Sequence, residues 1–247
     1  MSRSVWRKFF SVPDAFLIVC NSGGGGNTPA DKKGACYMSD FYNEGQKHMS
    51  NRDLMKAVDC FLKDIEQGND DSIDTLAFIH KFNPTGEIND ADLKNAVEIY
   101  NRSFKEHKTK IPKVMIWLGI IYMSGEYGGY NIAAPNFTIG DKLIKEGVAK
   151  ICNIDGTSEN YSLLDPRACI ELYIVYTSNR KLEDKNHTIY CLDEAIKYLK
   201  PVNEEMMERL LPDMPPKNEV MKNLIGERDA ITDELKIYEN INKYSDN

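Results

Sequence analysis

Asn51-Arg52-Asp53-Leu54-Met55-Lys56-Ala57-Val58-Asp59-Cys60-Phe61-Leu62-Lys63-Asp64-Ile65-Glu66-Gln67-Gly68-Asn69 reads as one amphipathic helix and its stop. Leu54, Ala57, Val58, Phe61, Leu62 and Ile65 fall at i, i+3, i+4, i+7, i+8 and i+11, the spacing that lines one face of an α-helix. Lys56, Asp59, Lys63 and Asp64 are expected on the opposite, wetted face. Asn51 or Asp53 stands where a cap would start the helix, and Gly68 where a left-handed residue would end it. One amphipathic helix cannot bury its own stripe, so the unit is expected to recur.

It recurs imperfectly. A small residue inside a similar apolar pattern returns at Ala96 and Ala195, with a looser copy at Asp141-Lys142-Leu143-Ile144. Each of these helices follows another apolar stretch: Tyr37 to Tyr42, Ile73 to Phe82, Val114 to Tyr122 and Cys169 to Tyr176. Helix-turn-helix repeated about four times is the pattern of an α-solenoid. The expected fold is therefore all-α: a right-handed solenoid of about four degenerate helix-turn-helix repeats, closed by a C-terminal capping helix.

Two stretches carry a family resemblance. Lys56-Ala57 through Glu66-Gln67-Gly68-Asn69 is similar to the second helix of a Sel-one-like repeat, a variant of the tetratricopeptide repeat. Leu118-Gly119-Ile120-Ile121-Tyr122-Met123-Ser124-Gly125-Glu126-Tyr127-Gly128 resembles the first helix and turn of the same family. The chain departs from the family where Asp64-Ile65 replaces a pair of alanines, where the second repeat lacks the Leu-Gly-x-x-Tyr motif, and at an insertion around Tyr130 to Phe137. The resemblance covers residues 37–200 and implies a protein-binding repeat array.

Residues 1–36 differ from this pattern. Arg3, Arg7 and Lys8 precede a mostly apolar run from Phe9 to Val19, then Cys20 and the glycine-rich Asn21 to Asn27. Basic, apolar, cysteine, flexible tether is the order of a bacterial lipoprotein signal, with Cys20 as the lipidation candidate. Pro13, Asp14 and Val19 fit that signal poorly, and an N-terminal strand or helix ending in a glycine loop remains the alternative. The first reading places the protein in the periplasm on a lipid anchor, the second in the cytoplasm. No other run is long and apolar enough to span a bilayer.

The 247 residues carry 38 acidic and 31 basic side chains, a formal charge of −7. That balance opposes a nucleic-acid partner and mildly favours a protein with a basic surface, while a charge of this size is also what keeps many proteins soluble. Gly23 to Gly26 lack a following Gly-Lys-Ser/Thr, so they do not read as a phosphate loop. The six cysteines form no CxxC pair, and the four histidines form no His-x-x-x-His or Glu-x-x-His pattern. No metal site, cofactor or catalytic residue is therefore expected. Cys152 and Cys169 could pair across a turn in an oxidising compartment; buried free thiols are the simpler expectation.

Gly119 lies inside a helix, where it costs about 1 kcal/mol relative to alanine, so it is expected at a close helix crossing. Glu126-Tyr127-Gly128-Gly129-Tyr130-Asn131 and the following loop to Phe137 place aromatics on glycine-rich turns, a suitable setting for interface anchors. Glu126, Tyr127, Tyr130, Asn131, Phe137 and Tyr173 are the expected partner-binding residues, although Tyr127 or Tyr130 could fold back onto the repeats. Residues 201–247 should cap the array, with Val220, Leu224, Ile231, Leu235, Tyr238 and Ile241 as the stripe of a long helix; packing on a partner or on a second copy is the alternative. Small, acidic, envelope-tethered repeat proteins resemble bacterial immunity proteins. This resemblance implies a non-enzymatic inhibitor that occludes the active site of a toxic effector enzyme, and an adaptor of an envelope or secretion assembly is the other expectation.

Overall fold

The computed structural model describes residues 39–82, 86–107, 111–127, 130–132, 134–152, 160–181 and 183–245. Among them are ten α-helices: α1 (Asp40–Ser50), α2 (Leu54–Glu66), α3 (Ile73–Phe82), α4 (Asp90–His107), α5 (Pro112–Ser124), α6 (Phe137–Cys152), α7 (Pro166–Ser178), α8 (Lys185–Leu199), α9 (Glu204–Leu210) and α10 (Lys217–Ser245). Two short strands, β1 (Glu126–Tyr127) and β2 (Tyr130–Asn131), pair antiparallel between α5 and α6. Among the described residues the protein is all-α apart from this strand pair. Cys20 and the rest of the lipoprotein-like segment lie outside the described residues.

The caps follow the sequence closely. Asp53 caps α2 by accepting from Lys56 N at 3.4 Å. At the other end Gly68 takes φ +83° and the amides of Gly68 and Asn69 return to the carbonyls of Ile65 and Asp64, closing a Schellman turn. Asn89 accepts from Ala91 N, and Asp92 reaches back to Asn89 N at 2.9 Å, forming a reciprocal cap on α4.

The described chain falls into two compact units. The first comprises residues up to Val114 together with 126–132, and the second comprises 115–125 and 133 onward. In the first, α2 packs against α1, α3 and α4. Its apolar stripe is buried as expected, with Leu54, Ala57, Val58, Phe61, Leu62 and Ile65 all in the core. Asp64 differs from the expectation of a wetted side chain. It is fully buried and its carboxylate accepts from Ser39, from Asn69 Nδ2 at 3.1 Å and from Ser72 Oγ at 2.7 Å. These three donors offset the cost of burying the charge, and they tie the end of α2 to the start of α1 and to the turn before α3.

In the second unit α7 packs on α8, and α10 lies along α8. Ala96 of the first unit and Ala195 of the second are as completely buried as Ala57, so the recurring small residue marks packed helix faces in both. Gly119 is at a close crossing. A methyl group there would meet the Gly140 carbonyl of α6 at 2.7 Å, and one on Gly140 would meet the Gly119 carbonyl at 2.6 Å. Along the capping stripe of α10, Val220 and Leu224 are buried, Ile231 and Leu235 half-buried and Tyr238 54% exposed, while the side chain of Ile241 lies outside what is described. Cys60, Cys152, Cys169 and Cys191 are buried thiols, and no disulfide joins Cys152 to Cys169. No described helix is long and apolar enough to cross a membrane.

Candidate functional site

The hairpin between α5 and α6 is held by its buried half. β1 and β2 bring Glu126 opposite Asn131 and Tyr127 opposite Tyr130. Alternation along β1 sends Glu126 to solvent and Tyr127 inward. The Tyr127 hydroxyl lies 2.9 Å from His80 Nδ1 on α3 and 3.0 Å from the Tyr100 hydroxyl on α4, and both rings meet Tyr127 edge-on. His80 Nε2 is buried with no hydrogen-bond partner. Burial holds the imidazole pKa down at about 3, so it is neutral at ordinary pH. The arrangement that leaves no buried N–H orphaned puts the proton on Nδ1, which donates to Tyr127, which in turn donates to Tyr100. Burial also pushes both phenols above their usual range.

This arrangement corrects part of the expected contact surface. Tyr127 and Tyr173 are buried, at 6% and 7% exposure, so neither ring is an exposed anchor. Glu126 and Asn131 are exposed on the hairpin as expected. The backbone of Tyr130 pairs in β2, and its side chain lies outside what is described. Phe137 belongs to the second unit and is half-buried, so the expected loop from Tyr127 to Phe137 is divided between the two units.

Phe137 opens α6 against a cluster that the sequence did not single out. Its ring meets those of His187, Tyr176 and Tyr190 edge-on, closest at 4.5 Å to His187. One turn along α6, Asp141 accepts from Tyr176 at 2.7 Å and from Tyr190, with Lys145 Nζ at 3.4 Å. Lys145 also lies over the Tyr190 ring. The cluster thus joins α6 to α7 and α8. Burial, reinforced by the Asp141 carboxylate, pushes the Tyr176 and Tyr190 phenols far above their usual range.

Beside it, Cys191 Sγ sits 3.5 Å from His187 Nε2, a contact that invites a nucleophile reading. The geometry opposes that reading. His187 Nε2 is 3.0 Å from the Asn179 carbonyl, which only accepts, so this nitrogen carries its proton and is not a base toward the thiol. The thiol is buried, and burial pushes its pKa up to about 11. His187 and Cys191 instead cap the carbonyl end of α7.

A second group escaped the sequence reading. Glu44 and His48 of α1 and Cys60 of α2 bring one carboxylate oxygen, one ring nitrogen and one sulfur within 4.8 Å of one another. The local signal was Glu44-x-x-x-His48, one helical turn apart; the third member comes from across a helical pair. No family model matches the chain, and neither a curated protein nor a solved structure matches it significantly.

Proposed function

We propose that this chain is a non-catalytic protein-binding module, its four helix pairs being degenerate Sel-one-like repeats stacked as a right-handed α-solenoid. Its partner is a protein with a basic surface. The particular role that fits is that of an immunity protein, which neutralises a toxic effector enzyme by covering its active site. The observation that carries this reading is the Tyr127 anchor: it holds the hairpin to α3 and α4 while Glu126 and Asn131 remain in solvent. An exposed contact pair on a pre-ordered hairpin loses little conformational entropy on binding, which raises affinity without added area. The net charge of −7 favours encounter with a basic partner. Cys20, in the lipoprotein-like start, would tether such a protein to the periplasmic face of a membrane.

The test pairs cell protection with biochemistry. The purified chain should form a stoichiometric complex with one toxin encoded beside it and abolish that toxin's activity. Glu126→Lys and Asn131→Arg should each weaken the complex at least tenfold. Intact mass from the native host should show loss of residues 1–19 with added acyl chains if Cys20 is lipidated. An undiminished toxin, or full affinity in both variants, sinks the reading. One observation favours an adaptor instead: Ile237 and Tyr238 are 59% and 54% exposed, which offers a second, apolar surface on α10. An adaptor would bind several partners with weaker affinity and would not protect cells.

A further inference from the structure

Three chemically different donors converge in the first helical pair, far in chemistry from the hairpin and independent of the reading given above. Glu44 and His48 lie one turn apart on α1, and Cys60 comes from α2. His48 Nε2 faces Glu44 Oε1 at 3.8 Å, while Nδ1 faces Asp53 Oδ2 at 4.0 Å. At 4.0 Å the Asp53 carboxylate is short of hydrogen-bonding reach, and a small shift would bring it onto the nitrogen whose partner orients a metal-ligating histidine. Asp53 is itself held in place, capping α2 and pairing with Lys56 Nζ at 2.7 Å. The sulfur is buried, whereas the His48 and Glu44 side chains are 23% and 58% exposed, so the group sits at the edge of the helical pair with access from solvent.

We propose that Glu44, His48 and Cys60 bind a borderline divalent cation, zinc first, through a carboxylate oxygen, Nε2 and a thiolate, with Asp53 as a positioning carboxylate and a fourth position open to water. Hard cations such as magnesium and calcium select all-oxygen sites, and a thiolate beside an imidazole selects zinc and its neighbours. Zinc bonds of about 2.0 to 2.3 Å place tetrahedral donors about 3.5 Å apart. The three donors, within 4.8 Å of one another, therefore need to draw together by up to about 1.3 Å, which takes rotation of the exposed Glu44 side chain and a small adjustment of His48 toward Cys60. Binding releases the Cys60 thiol proton to solvent, so affinity rises with pH. The ion would cross-link α1 to α2, and its open position could accept a ligand from a partner.

Cobalt(II) titration of the metal-free full-length protein tests the site. The expected result is a thiolate-to-cobalt charge-transfer band with visible bands of tetrahedral intensity, displaced by stoichiometric zinc. Cys60→Ser and His48→Ala should abolish the charge-transfer band. Glu44→Gln, at an exposed position that folding tolerates, should weaken cobalt binding at least tenfold while the band remains. Asp53→Asn keeps the helix cap and should weaken binding about 10- to 100-fold. Absence of the charge-transfer band in the unsubstituted protein overturns the proposal. So does a band that survives in Cys60→Ser, because it would arise from other thiols, and so does unchanged affinity in Glu44→Gln.

Discussion

The Tyr127 hydroxyl sits 2.9 Å from His80 Nδ1, so the only described strand pair of the protein hangs on a neutral imidazole in the core. The same hydroxyl meets Tyr100, and its removal leaves two buried groups short of a partner. Tyr127→Phe should therefore cost about 1–3 kcal/mol in denaturant unfolding, with helix content unchanged. Amide exchange in residues 126–131 should quicken more than in α2. Equal protection of the hairpin in both proteins would show that the hydroxyl does not hold it.

His80 also sets a pH dependence. Its folded pKa of about 3 lies below the ordinary value of 6.5, because burial disfavours the charged ring. The unfolded chain thus takes up the proton first. The stability associated with a neutral His80 is fully present above pH 6.5 and falls as pH drops toward 3, by about 1.4 kcal/mol per unit for this one group. Urea midpoints measured at pH 7, 6 and 5 should fall more steeply for the native sequence than for His80→Gln. Parallel pH profiles would mean that the folded protein protonates His80 without penalty.

Two glycine substitutions should act in opposite directions. Gly119→Ala places a methyl group against the Gly140 carbonyl and Ile144, so overpacking of about 1–3 kcal/mol should exceed the gain of about 1 kcal/mol in helix propensity. Gly226→Ala, in α10 with open space around it, should stabilise by about 0.5–1 kcal/mol. Thermal unfolding of the two variants compares them directly, and the same sign for both would count against the close crossing.

Asp141 joins three helices through two phenols. Asp141→Ala should cost about 2–4 kcal/mol, because it strips a charged acceptor from Tyr176 and Tyr190. Near-ultraviolet circular dichroism should change with it, since Tyr176 stacks on Tyr198 at 5.8 Å and the signal depends on that packing. An intact tyrosine signal with full stability would reduce Asp141 to a surface acid.

Much of this was legible from spacing alone. The apolar stripe of α2, its start at Asp53, its stop at Gly68 and the need for a close neighbour at Gly119 all follow from period, capping chemistry and the absence of a side chain. These are local properties, carried within one or two turns of helix. Asp64 marks where local reading ends: its position in the wheel pointed to water, yet Ser39 and Ser72, 25 and 8 residues away, convert it into a buried acceptor. Likewise, the glycine-rich turn left Tyr127 either exposed or folded back onto the helices, and the approach of α3 and α4 decided for the inward position.

By itself, then, the sequence determined helix identity, helix ends and which faces are apolar, because each depends on residues a few positions apart. Tertiary structure alone decided which polar groups meet. The His80–Tyr127–Tyr100 chain, the Asp141 cluster and the Glu44–His48–Cys60 group each draw members from two or three separate elements, and periodicity along one helix carries no information about the side chains of the next.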